Sequence, residues 1–199
     1  TAALIDFRNL RENPNLKLAQ IIIIASLPVM AAGFMVSVFV GDFARNLEII
    51  GWATLGFGIL LGLADKIGMT LNELKHMQFL DGILIGISQA LALIPGASRS
   101  GLTITMARFL GYNRSAAARF SLLLAIPAIL GASTLKGIEL AQSQNAILSI
   151  DVAIVIMISF VAAFASIAIM MNWLNKAGFM PFVIYRVVLG TGLLAWVYL

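Results

Sequence analysis

The chain alternates long uncharged apolar runs with short polar gaps, and the run lengths predict the architecture. Leu18–Val40 is uncharged and long enough to span a bilayer with some tilt, with Pro28 inside it. A short loop marked by Asp42, Arg45 and Glu48 follows. Ile49–Ala64 is shorter, about 24 Å as a helix, and barely crosses a hydrocarbon core of about 30 Å. Asp65–Gln78 is the most polar stretch and holds the single histidine, His76. Ser121–Leu135, Val152–Leu174 and Phe179–Leu199 are three further spans, and the middle one is so uniformly apolar that it should face lipid.

The segment 79–111 breaks this pattern. Phe79–Ile94 is apolar and stops at Pro95-Gly96; after a polar turn, Leu102–Leu110 resumes as a short helix that ends at Gly111. A helix of that length cannot cross a bilayer. The pattern predicts a re-entrant hairpin with its non-helical tip at 95–100, entering and leaving on one side of the membrane. Irregular backbone at such depth requires protein or a wet cavity around it. Gly58 with Gly62, and Gly82 with Gly86, are spaced for close helix contact. The fold class is therefore an all-α integral membrane protein, a multi-span bundle read as one membrane domain over 1–199.

Composition agrees: 61% of residues are hydrophobic and 11% charged, against roughly a quarter charged in soluble domains. There is no cysteine, which excludes disulfides and thiolate metal sites. The net charge of +4 sits in the gaps between apolar runs, the pattern of membrane flanks and not of a nucleic-acid-binding face. If each span crosses and the hairpin returns, one side collects Arg8, Arg11, Lys17, Lys66, Lys75, Arg108, Arg114, Arg119 and Lys176, and the other only Arg45 and Lys136. That bias makes the first side cytoplasmic; two full crossings in place of the hairpin would keep the same parity. Residues 1–17 are polar and mixed in charge, do not read as a signal peptide, and begin at Thr1. The numbering is expected to lack an N-terminal part.

The chemistry concentrates in Pro95-Gly96-Ala97-Ser98-Arg99-Ser100-Gly101 and the nearby Thr103. A helix N-terminus offers unpaired N–H groups and partial positive charge. Ser98 or Ser100 can cap it or touch a ligand. Arg99 brings a planar fork matched to phosphate oxygens. Every side chain of the turn is a donor or a cation. The apolar spans show no acidic partner for Arg99, so its counterion is either an anionic ligand or a carboxylate from elsewhere. Gly96, Ala97 and Gly101 supply backbone to the same site. Gln89 either faces the site or bonds a neighbouring helix. Arg186 reads as a carbonyl-bonding arginine, Arg119 as a snorkelling flank and His76 as solvated.

These residues carry a resemblance. Ile87–Ile94, the Pro95–Gly101 turn with Thr103, Ala117–Pro127 and Pro181–Arg186 resemble, in order, the C-terminal two-thirds of the bacterial undecaprenyl-diphosphate phosphatase (bacitracin-resistance) family, whose signature is written PGxSRSxxT. The resemblance implies a bacterial inner-membrane hydrolase that removes the terminal phosphate of undecaprenyl diphosphate, giving the carrier lipid used in cell-wall synthesis. It implies a divalent cation, magnesium or calcium, and two inverted repeats whose hairpin tips meet, of which this chain holds about one and a half. Ser98, Arg99, Ser100 and Thr103 match the family's diphosphate-binding residues. The family's paired glutamates, with the Ser-Ser-Thr turn that follows them, have no match here, so metal ligands and nucleophile are expected from a preceding hairpin, and the isolated piece is expected to be inactive. The implied partners are membrane lipid and a long-chain prenyl diphosphate, with room for a homo-oligomer. A transporter or flippase using the same helix break is the rival from another class. A histidine-dependent lipid phosphatase and a non-catalytic scaffold are weaker rivals.

Overall fold

The computed structural model describes residues 14–39, 46–142, 150–174 and 176–199. Among them are seven α-helices and no strand: α1 Pro14–Phe39, α2 Leu47–Ile67, α3 Phe79–Ala90, α4 Arg99–Phe109, α5 Arg114–Gln142, α6 Ile150–Leu174 and α7 Met180–Tyr198. α1, α2, α5, α6 and α7 are each long and apolar enough to cross a bilayer. The chain is a multi-pass membrane protein. Arg8, Arg11 and Arg45, which enter the count of flanking charges, lie outside the described residues.

α2 is longer than its apolar run. Asn46 caps it by accepting the Glu48 N–H at 2.9 Å, and the helix continues through Asp65-Lys66-Ile67. At 21 residues it reaches about 31 Å and spans comfortably. Asp65, expected in a polar loop, is instead a buried residue of the last turn, because its charge is compensated there by Arg114. α5 likewise begins before Ser121, since Asn113 Oδ1 accepts the Ala116 N–H at 2.8 Å and opens a helix at Arg114.

α2 and α7 form an antiparallel pair closed by small residues. A Cβ on Gly51, Gly58 or Gly62 would press on Leu194, Arg186 or Val183, and one on Gly190 would meet Leu55. Gly82 and Gly86 of α3 do the same against Ile21 and Ala25 of α1, where the Ala25 carbonyl leaves no room for a methyl. Both predicted glycine pairs are therefore packing contacts. α6 is exposed throughout 154–169, as a lipid-facing helix should be.

α3 and α4 make a helical hairpin. Its outer ends meet where the Tyr112 hydroxyl donates to Asp81 at the start of α3. Burial, then the hydrogen bond and charge of Asp81, push the Tyr112 phenol up, so it stays a donor. The Asn72 N–H donates to the Gly111 carbonyl, tying the loop after α2 to the same end. The break differs slightly from expectation: Leu91–Leu93 tightens into a 3₁₀ turn, residues 94–98 are non-helical, and the helix resumes at Arg99. Arg99, Ser100 and Gly101 thus form the first turn of α4.

Candidate anion-binding site at the hairpin tip

The tip leans on α2 near its N-terminal end. Gly96 has φ +88°, and a Cβ there would lie 2.5 Å from the Ile50 carbonyl oxygen and 2.8 Å from Thr54 Oγ1. Only glycine fits both the conformation and the space. Ser98 has φ +65° and is the one non-glycine residue with positive φ among those described. Holding a serine there costs about 1–3 kcal/mol, and such strain collects at functional sites. The Ser98 hydroxyl accepts the Gly101 N–H at 3.2 Å and so caps α4. The Leu102 N–H goes to the Ser98 carbonyl, so the first-turn N–H groups of Arg99 and Ser100 are the ones a ligand could draw on.

Arg186 of α7 reaches the turn from the far side. Its Nη2 donates to the Gly96 and Ala97 carbonyls, 2.9 Å to each, and its Nε to the Thr54 carbonyl at 3.4 Å. Thr54 Oγ1 donates to the Gly96 carbonyl at 3.3 Å. Nη1 of Arg186 is buried without a partner among the described residues. The side chain is only 8% exposed and lines a cavity of about 440 Å³. Ser98, Ser100, Ser121 and Ser166 give that cavity hydroxyls, while Met170 and Phe182 give it apolar wall. Its walls come from the tip, α2, α5, α6 and α7.

The structure brings Gly96, Ser98, Ser100 and Gly101 together on this wall. Ala97 is fully buried and contributes its carbonyl to Arg186. Thr103 sits one step behind: its hydroxyl is 2.7 Å from Ser121 Oγ and donates to the Arg99 and Ser100 carbonyls. Arg99 lies off the cavity wall, with Nη1 donating to the Ala125 carbonyl at 3.3 Å. It has no ion pair among the described residues. Gln89 is fully buried near the end of α3, off the wall, with neither amide atom partnered. Arg119 and His76 are exposed, as expected of a flank and a solvated loop residue.

Sequence reasoning placed Arg186 as a carbonyl-bonding arginine, which it is, but missed that the carbonyls belong to the tip. It also missed Ser121 and Thr54; both are single hydroxyls in apolar helices, and nothing in the sequence marks them. The wall carries hydroxyls and a guanidinium and no carboxylate. Among the described residues no three Asp, Glu or His side chains cluster. This donor set fits an anion and does not fit a divalent cation.

The model of the bacitracin resistance protein BacA family matches residues 2–192. Undecaprenyl-diphosphatase 1 of Rhodospirillum rubrum is 46% identical over 190 residues, covering 95% of this chain and 67% of that protein. The undecaprenyl-diphosphatase of Hahella chejuensis is 46% identical over 182 residues, covering 92% and 68%. That of Jannaschia sp. is 42% identical over 188 residues, covering 94% and 70%. The serine-arginine turn, the helix break that presents it and a match along nearly the whole sequence agree: the chain belongs to the bacitracin resistance protein BacA family.

Proposed function

We propose that the protein hydrolyses undecaprenyl diphosphate to undecaprenyl phosphate and phosphate, and that the hairpin tip holds the diphosphate. The carrying observation is the convergence on one cavity of a helix N-terminus, the Ser98 and Ser100 hydroxyls and the Arg186 guanidinium, with no carboxylate among the lining residues. Phosphoryl transfer asks a protein mainly to position the groups and neutralise charge. Donors fixed before the reaction do so without reorganising. Attack on the terminal phosphorus breaks its bond to the bridging oxygen, the lipid monophosphate leaves with that oxygen, and water supplies the oxygen and protons of the released phosphate. Arg99 stands at the first turn of α4, bonded to the Ala125 carbonyl, and in this reading exchanges that carbonyl for a phosphate oxygen when substrate binds. Thr103 and Ser121 hold that turn from behind.

The divalent cation implied by the resemblance, magnesium or calcium, would need carboxylates that this wall does not carry. The prenyl chain would leave the cavity past Met170 and Phe182 toward lipid. The hairpin enters and leaves the bilayer on the cytoplasmic side, and the membrane is the bacterial inner membrane.

The test is phosphate release from a long-chain prenyl diphosphate by the full-length protein in detergent, beside a Ser98→Ala, Ser100→Ala double variant. Release that falls about tenfold or more in the double variant is expected from two lost hydrogen bonds to a charged group. Unaltered release would remove the turn from the reaction. Protein-dependent lipid movement across vesicles without phosphate release would make this the site of a carrier.

A further inference from the structure

The tip is a strained turn gripped by a residue from another helix, and the grip is divided. Two nitrogens of Arg186 hold the backbone: Nη2 takes the Gly96 and Ala97 carbonyls and Nε takes the Thr54 carbonyl. The third, Nη1, is buried without a partner among the described residues and abuts Gly101, where a Cβ would lie 2.6 Å from it. The residue after these two held carbonyls is Ser98, at φ +65°. A serine free to choose would leave that region. The contacts that oppose this are the Arg186 fork, the Thr54 hydroxyl on Gly96, and the cap that Ser98 itself makes to Gly101.

We infer that Arg186, assisted by Thr54, is the positioning residue that keeps Ser98 in its left-handed conformation and so keeps the N-terminus of α4 aimed at the anion. The geometric part stands on the hydrogen bonds alone. The kinetic consequence rests on the proposal that the tip holds diphosphate. α7 lies far along the chain from the turn it grips, so the position of the α2–α7 pair sets the geometry of the site. Gly58 packs against the Cβ of Arg186 and lets the side chain start close enough to reach.

Two readouts test this on the protein in detergent: amide hydrogen exchange over residues 94–102, and steady-state phosphate release. Arg186→Gln should speed exchange in that segment tenfold or more, on the order of the loss expected when two charge-assisted bonds go. It should raise KM through the loss of the guanidinium charge beside the cavity and lower kcat on the order of a hundredfold through misplacement of the turn. Thr54→Val leaves the guanidinium untouched, so it should speed exchange and lower kcat more mildly with KM unchanged. Glycine adopts positive φ freely. The double variant Arg186→Gln, Ser98→Gly should therefore keep about tenfold more kcat than the product of the two single losses.

Unchanged exchange in both Arg186→Gln and Thr54→Val would overturn the inference. So would a double variant whose kcat follows the simple product, since Arg186 would then act on the ligand by charge alone. If Arg186→Gln does not fold, the Thr54→Val exchange and kcat decide the matter. If the wild type releases no phosphate, the exchange data still decide whether Arg186 braces the turn, and the failure lies with the proposed hydrolysis.

Discussion

The two ends of the hairpin treat arginine in opposite ways. At the base, the Asp65 carboxylate receives Arg114 at 2.7 and 3.2 Å and the Phe179 N–H at 3.1 Å. Arg108, only 1% exposed, is stapled to the carbonyls of Asp65, Gly68, Met69 and Tyr112, with Nε 3.5 Å from the same carboxylate. At the tip no carboxylate lies among the described residues. Arg186 and Arg99 find only carbonyls; each end leaves one buried guanidinium nitrogen without a hydrogen bond, Arg108 Nε at the base and Arg186 Nη1 at the tip, but only Arg108 has a carboxylate beside it. A buried charge is tolerated when it is paired and hydrogen-bonded. The base supplies its own counterion, Asp65, and joins α2, α4, α5 and the start of α7. The tip supplies no counterion among the described residues, which is what a site for an anion requires.

Breaking the base should have the largest effect. Asp65→Ala strips two arginines of their carboxylate and the start of α7 of a cap. Removing one partner of a buried pair costs about 3–5 kcal/mol. The expected outcome is a large drop in the thermal midpoint in detergent, with activity lost because the fold is lost. A midpoint within a few degrees of wild type would mean that the base is not what holds the hairpin.

At the tip the same kind of change should spare the fold and strike the reaction. Arg99→Lys keeps the charge but loses the fork. Each charge-assisted hydrogen bond lost is worth about 1.5–3 kcal/mol, so catalytic efficiency should fall on the order of ten- to a hundredfold. Arg99→Ala should do worse at an unchanged thermal midpoint. Arg119→Lys, on the exposed side of α5, is the matched control and should change little. Near-wild-type release by Arg99→Ala would leave Arg99 a structural residue bonded to the Ala125 carbonyl.

Thr103→Val sharpens the comparison at smaller scale. It removes the 2.7 Å contact between Thr103 and Ser121 while keeping shape. The buried Ser121 hydroxyl then loses a neighbour, at a cost of about 1 kcal/mol. The expected result is a small fall in stability and a moderate fall in phosphate release, since Thr103 also braces the first turn of α4 through the Arg99 and Ser100 carbonyls.

The bundle was legible because bilayer thickness writes itself into run length, and the broken segment because Pro95, Gly96 and Gly101 interrupt an apolar run. The glycine pairs gave their packing role by spacing alone. The ends of α2 and α5 were not legible: a charged residue such as Asp65 or Arg114 reads as loop until its partner is known, and the partner lies far away in sequence. The site was half legible. The turn announced itself by composition, but the Arg186 grip depends on how α7 packs against α2, and no local pattern shows which carbonyls an arginine will find.

The smallest expected effect separates this chemistry from a rival one. A lipid phosphatase that works through a phosphohistidine needs a histidine at its site. The sequence has one, His76. It sits in the 3₁₀ turn Leu74–His76 between α2 and α3, exposed, at the base and not the tip. Its Nδ1 accepts the Glu73 N–H at 3.2 Å, a local contact that closes the turn. Beside it Lys75, 3.0 Å from Glu73, holds that carboxyl below the ordinary range, first through the hydrogen bond and then through charge. All of this is solvated loop chemistry. His76→Ala should shift stability by less than about 0.5 kcal/mol, as exposed substitutions do. Phosphate release should stay at the wild-type level, measured in the same detergent assay as Arg99→Ala. If His76→Ala abolished release while Arg99→Ala did not, the tip would lose its claim to the reaction, and the base of the hairpin would have to be read as the active end.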